Sequence, residues 1–270
     1  MNHFSNMNSK QIGYVVPTLG TRPELLFQSL SSIKSSDNTF VCVVAPKGAN
    51  LSIGDETKLI DLRVVDPGDG LASAISIGIE SLPDEIKYIA WLGDDDLIEP
   101  SNLDACLAVF TANKNISMIY GSCTYINIHN ERIGVNRLQR VSKFFIRFGP
   151  CLIPQPGSLI NRQKYIDSGG LDRKLGWAFD LDLFIKLSQV GSLHPIDLTL
   201  GSFRWHNDSL TVASRKDSVR EASRVRKSYY CFPLRFISEI WELPIRTLTL
   251  FAGVLVSIRN SKMQSGERYK

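Results

Sequence analysis

"YIAWLGDDDLIEP", residues 88–100, joins a short apolar run to three adjacent aspartates. Residues 88–92 read as a buried strand, since a short apolar run bounded by turn residues suits a strand covered on both faces. Asp94, Asp95 and Asp96 then fall on the loop that leaves it. In open α/β folds, ligands gather beyond the carboxyl ends of the strands. Adjacent carboxylates repel one another unless something positive offsets them. Their oxygens are hard ligands suited to Mg2+ or Mn2+. The competing reading is an acidic turn that starts the next helix, for which Asp and Pro100 are good residues.

Outward from this stretch, strand and helix patterns alternate. Residues 12–16, 40–45 and 62–65 read as strands, and 23–33 and 71–80 as helices. The order β-α-β-β-α-β predicts an α/β domain with a largely parallel sheet. Residues 102–111 read as the helix after the acidic loop, and 116–120 and 123–128 as two further strands. Past about residue 140 the texture changes, with an apolar and aromatic run at 144–153. Residues 162–168 and 180–190 have helical spacing and are followed by Gly169 and Gly191, natural helix ends. "IDLTLGSFRWH", 196–206, reads as a strand leading to a polar loop, and 214–227 as a charged helix.

The chain has 270 residues, 43% hydrophobic and 21% charged, as in an ordinary globular protein. A core of this size needs neither disulfides nor a structural metal. The net charge of +4 is uneven, because residues 215–270 hold 12 Lys and Arg against 5 Asp and Glu. A basic tail behind a slightly acidic body suggests an anionic surface such as a membrane, and no nucleic-acid partner is expected. Five scattered cysteines, never in a CxxC pair, argue against a zinc site or a disulfide framework and fit a reducing compartment. Residues 1–10 lack the apolar run of a signal peptide, and no window of about 18 uninterrupted apolar residues predicts a spanning helix. Residues 231–262, "CFPLRFISEIWELPIRTLTLFAGVLVSIRNSK", look too broken to span a bilayer. They read as an amphipathic segment lying on a membrane, against a helical pair packed on the domain or on a partner subunit.

Six stretches, in order, resemble segments of the inverting glycosyltransferases of family 2. They are "VVPTLGTRPELLFQSLSSI" (15–33), "GDGLASAISIGIE" (68–80), "WLGDDDLIEPSNL" (91–103), "QPGSLINRQKYIDSGGLD" (155–172), "WAFDLDLFIKLSQVG" (177–191) and "FRWHNDSLT" (203–211). The resemblance implies the α/β GT-A fold, a Rossmann-like, mostly parallel sheet flanked by helices. It implies a transferase domain over 1–212, with a nucleotide-binding half at about 10–130 and an acceptor half at about 131–212. A basic, apolar helical extension over 213–270 follows. The expected activity is sugar transfer from a nucleotide-sugar donor to a glycan or lipid-linked acceptor by single displacement with inversion. The expected location is cytoplasmic, peripheral on the inner face of the membrane.

Such a displacement needs a base for the acceptor hydroxyl and a positive centre for the leaving diphosphate. By resemblance, Asp180 is the base, with Asp182 as its rival and otherwise an acceptor contact; a helix cap is the plain reading of Asp180. Asp95, Asp96 and His206 are expected to hold Mn2+ or Mg2+, with Asp96 alternatively holding the loop. Pro17, Thr18, Arg22, Asp66, Gly70, Asp94 and Asp95 are expected at the nucleotide, although Thr18 also reads as a cap ahead of Pro23. Gln155 and Trp177 are expected at the acceptor, with Trp177 as a sugar platform or a core residue. Arg204 reads as a phosphate ligand or a strand-end charge. Two departures stand out. Gly93 occupies the first Asp position of the family's Asp-x-Asp-Asp motif. The second strand ends in Ala45, where the family has an Asp that reads uracil, which leaves the nucleotide open. A nucleotidyltransferase and a non-catalytic sugar-nucleotide binder are the competing functions.

Overall fold

The computed structural model describes residues 10–51, 56–205 and 214–264. The amino-terminal half runs β1 (Ile12–Pro17), α1 (Pro23–Lys34), β2 (Thr39–Ala45), α2 (Glu56–Leu59), β3 (Leu62–Val65), α3 (Leu71–Glu80), β4 (Tyr88–Trp91). It continues through β5 (Leu97–Ile98), α4 (Leu103–Ala112), β6 (Ile116–Ile126) and β7 (Arg132–Asn136). The remainder is α5 (Gln139–Phe145), β8 (Ser158–Asn161), α6 (Arg162–Asp167), α7 (Phe179–Val190), β9 (Ser192–Arg204), α8 (Arg215–Ser228), α9 (Phe232–Ile237) and α10 (Glu239–Gln264).

The strands form one mixed sheet in the order β3-β2-β1-β4-β8-β6-β9-β5, with β7 paired to β6. β3, β2, β1 and β4 are parallel, so their carboxyl ends share one edge. β8 runs antiparallel between β4 and β6 and joins that half to the parallel pair of β6 and β9. Side chains alternate across each strand. Tyr14, Val16, Val41 and Val43 pack with Leu26, Leu30, Cys106 and Phe110 of α1 and α4 on one face. Val15, Cys42 and Val44 pack with Ile75 and Ile79 of α3 on the other, in the same core as Leu183, Phe184 and Leu187 of α7. Each fully buried aliphatic or aromatic side chain contributes about 1.5–3 kcal/mol.

Two expectations change. Residues 116–126 are one strand rather than two. Gly121, which looks like a break, admits β9 instead, because a Cβ there would lie 2.2 Å from the carbonyl oxygen of Leu198. The carboxyl-terminal stretch is also less broken than it reads. α10 continues past Pro244, and residues 239–258 are long and apolar enough, by length and composition, to cross a membrane. Helix α8 is part of the body, since its Val225 lies in the same core as α7. α8 and α10 are locked by a buried ion pair, Arg226 Nη2 to Glu242 Oε2 at 2.6 Å.

Candidate active site

The carboxyl ends of β1, β3 and β4 open onto a cavity of about 670 Å3. Its walls bring together Pro17, Thr18, Arg22, Asp66, Gly70, Asp94, Asp95 and Asp96 with Gln155, Trp177 and Asp180. These segments lie up to 163 residues apart in the chain.

The acidic loop is heavily tied. Thr18 Oγ1 donates to Asp94 Oδ2 at 2.6 Å. The Arg22 guanidinium bridges two carboxylates, reaching Asp94 Oδ1 at 2.5 Å and Asp95 Oδ2 at 2.8 Å. Burial, with the Asp95 charge beside it, raises Asp94 above the ordinary carboxylate range against the pull of Thr18 and Arg22. Gly93 has a local reason. A Cβ there would lie 2.8 Å from Asp95 Oδ1 and 3.1 Å from Asp96 Oδ2, so a side chain at 93 crowds Asp95 in its present position against Arg22.

Asp96, expected as a metal ligand or as a tie for the loop, lines the cavity and makes the loop tie. Its Oδ1 accepts the backbone N–H of Arg204 at 2.8 Å, and it is 5% exposed. It ties the loop to the end of β9. Burial first, then the Asp95 charge, raises its pKa well above the ordinary range. Arg204, the last residue of β9, is not the solvated strand-end charge that one reading expected. It is wholly buried, with Nε on Asp95 O at 2.7 Å, Nη1 on Asn127 O at 3.0 Å and on Asn130 Oδ1 at 2.7 Å, and Nη2 on Gln28 Oε1 at 3.1 Å. Nothing in its sequence context signals this anchoring role.

Across the cavity, Asp180 sits in the first turn of α7, half-buried, with Oδ1 accepting from Leu181 N at 2.7 Å. The cap position itself is Ala178. Burial pushes Asp180 up to about 6, opposed by those backbone N–H groups and reinforced by the charge of Glu221. Glu221, on α8, carries no sequence signal, since a carboxylate on a charged helix looks like a solvated one. It is buried and accepts three backbone N–H groups of the loop leading into α7: Gly176 at 3.3 Å, Trp177 at 2.6 Å and Ala178 at 2.8 Å. It therefore holds the segment that carries Trp177 and starts the helix of Asp180. Tyr125, Phe203 and Trp205 form an aromatic cluster on the cavity wall, with centroids 5.9–6.2 Å apart.

Asp182, expected at the acceptor, is also corrected. It faces α8, where its Oδ1 accepts from Tyr229 OH at 2.6 Å and its Oδ2 pairs with Lys186 Nζ at 2.6 Å. Two positions later on a helix is the opposite face. Gln155 lines the cavity, and its Nε2 donates to Trp91 O at 2.5 Å. His206 lies outside the described residues.

Among the described residues no three His, Cys, Asp or Glu side chains form a metal cluster. The donor set still suits a Mg2+-type ion. Asp94 and Asp95 line the cavity, and such sites use one or two carboxylates together with phosphate oxygens.

No protein-family model matches the chain. It is 23% identical over 180 residues to the chondroitin synthase of Pasteurella multocida (strain Pm70), covering 66% of this chain and 17% of that protein. The chain thus spans about a sixth of the length of that relative. It is 22% identical over 236 residues to an uncharacterized glycosyltransferase of Haemophilus influenzae, covering 81% of this chain and 76% of that protein. The mannosyltransferase PcManGT from Pyrobaculum calidifontis, in complex with GDP-Man and Mn2+, aligns at TM-score 0.60 and 14% identity over 98% of this chain and 82% of its own. S. aureus TarS 1–349 in complex with UDP-GlcNAc aligns at TM-score 0.60 and 13% identity over 81% of this chain and 66% of its own. The mixed α/β fold is that of solved glycosyltransferase structures.

Proposed function

We propose that the chain transfers a sugar from a nucleotide-sugar donor to a hydroxyl of a glycan or lipid-linked acceptor, by single displacement with inversion. The observation that carries this is the one cavity where the acidic loop, the β1 and β3 turns and Asp180 meet. Likeness to glycosyltransferases in sequence and fold supports it.

Asp180 takes the proton of the attacking hydroxyl. A carboxylate raised to about 6 is still ionised at neutral pH and is more basic than an exposed one, which suits it to that step. Trp177, held by Glu221, offers an apolar platform to a sugar face. Pro17, Thr18, Asp66 and Gly70 form the nucleotide wall, and Arg22 supplies a guanidinium suited to phosphate. Asp94 and Asp95 would hold Mn2+ or Mg2+, which when bound supplies Lewis-acid stabilisation of the leaving diphosphate. The same reading assigns the chain to the cytoplasmic side of a membrane, held peripherally by its basic, apolar carboxyl-terminal stretch.

Calorimetry with UDP, GDP and dTDP, each with and without Mn2+, tests the donor site. Mn2+-dependent binding of one nucleotide, lost in Asp95→Ala, is expected. Binding of none of the three by the folded chain overturns the proposal.

A further inference from the structure

We propose that the chain carries a two-part docking face for an anionic membrane surface, one part on the carboxyl-terminal helices and a second on residues 137–148 of the catalytic body. It rests on the peripheral placement above, which named the carboxyl-terminal stretch alone, and is independent of the sugar-transfer reading.

The second part surrounds α5. Gln139, Ser142 and Ile146 point inward and are buried. Leu138, Val141, Phe145 and Phe148 are exposed. Arg137, Lys143 and Arg147 are exposed among them, as is Arg140, which pairs with Asp197. Residues 132–150 hold five Arg and Lys and no Asp or Glu. An ordinary surface helix turns polar groups to water and apolar ones to the core. Here large apolar groups share the outer side with cations.

The first part is likewise apolar on its outer side. Phe232, Phe236 and Ile240 are 77%, 70% and 77% exposed. Along α10, Leu248, Phe251, Leu255 and Ile258 are exposed at spacings of three and four, so they form one stripe. The two parts adjoin through Tyr230. Its ring stacks on Phe148 with centroids 5.6 Å apart, its hydroxyl donates to Arg147 O at 2.8 Å, and it meets Trp241 edge-on at 5.8 Å. A contiguous patch of this kind marks an interaction surface, unlike scattered exposed side chains.

Charge selects the occupant. A second copy docked about a two-fold axis would set these arginines against themselves, whereas anionic headgroups complement them. Geometry selects the posture. α10 is tied to the body by Glu242, paired with Arg226, and by Ser257, whose hydroxyl accepts from Trp205 Nε1 at 3.4 Å. These anchors are fifteen residues apart, about 22 Å along the helix, so α10 lies along the body rather than leaving it to cross a bilayer. Because Trp205 also lines the cavity, the docking face borders the cavity wall.

The test is co-sedimentation of the full chain with vesicles of phosphatidylethanolamine and phosphatidylglycerol in equal parts, and with phosphatidylcholine vesicles. Two paired variants, V141E with F145E and F232E with F236E, are compared after circular dichroism confirms folding. Binding to the anionic vesicles, weakened by salt and reduced about ten-fold or more by each pair, is expected. Loss with the 232/236 pair alone overturns the second part. Absence of vesicle binding, with a concentration-dependent dimer that either pair dissolves, makes the occupant a second copy and overturns the whole. Nucleotide binding by calorimetry reads the donor site separately, so failure of one proposal is distinguishable from failure of the other.

Discussion

Asp180→Asn should make the protein more stable while removing its activity. In the folded chain the carboxylate is raised from 3.8 to about 6, chiefly by burial. At pH 7 it is ionised in both folded and unfolded states, and the folded state bears the cost of holding the charge. A difference of about two pH units is worth about 3 kcal/mol at 1.36 kcal/mol per unit, and partial exposure of the group lowers this to about 1–3 kcal/mol. The sign follows from linkage. A carboxyl whose folded pKa is raised favours folding below its unfolded value, near 3.8, and that contribution is lost as pH rises to about 6. Asparagine carries no charge at any pH. The variant should therefore gain about 1–3 kcal/mol at pH 7, or about 2–4 °C in Tm per kcal/mol, and lose the gain by about pH 4. Thermal unfolding at both pH values measures this, alongside turnover, which should fall about 10²–10⁴-fold. Equal stability of variant and parent at pH 7 would refute the assigned burial cost. Full turnover in the folded variant would refute Asp180 as the base.

Glu221→Gln keeps an acceptor oxygen but removes the charge that three backbone N–H groups face, and charge-assisted hydrogen bonds contribute about 1.5–3 kcal/mol. Turnover should fall about ten-fold, and the acid limb of the pH–rate profile should move to lower pH, since the Glu221 charge adds to burial in raising Asp180. A lower rate with an unmoved limb would limit Glu221 to holding the loop. Arg204→Met removes a buried cation bound to Asp95 O, Asn127 O and Asn130 Oδ1. Urea unfolding should show a loss of about 3–5 kcal/mol, and a loss below about 1 kcal/mol would contradict its anchoring role.

The elements legible in the sequence are those whose signal is local. Strand runs such as 12–16 and 40–45, and the apolar faces of α1 and α3, depend on periodicity within one segment. The acidic triplet and Asp180 stood out because each belongs to a short motif. What the sequence hid is long-range. Asp96 looks like its two neighbours, and only the arrival of Arg204, 108 residues later, gives its Oδ1 a backbone N–H partner. Asp182 looks like a second base until α8 brings Tyr229 against it, 47 residues on. Glu221 carries no motif at all. Its role exists only because the helix after residue 213 packs back onto the loop before α7, which no local pattern signals.

The two arginines at the acidic loop differ in a way that bears on how it accepts a ligand. Three carboxylates on one turn need positive charge even without a nucleotide. Arg204 has no exposed surface, and it bonds chiefly to carbonyl and amide oxygens, so moving it would strand buried polar groups. Arg22 is different. Its side chain is 33% exposed, and it grips the carboxylates of Asp94 and Asp95 from the cavity side. Its release leaves two largely buried carboxylates, 7% and 13% exposed, whose charge an incoming cation would have to offset. A ligand that brought its own cation would therefore compete with Arg22 for the carboxylates of Asp94 and Asp95. The freed guanidinium remains beside Thr18 and the end of β1, where a diphosphate would give it a new bidentate partner. The triplet is thus charge-balanced by one arginine that is wholly buried and another that faces the cavity.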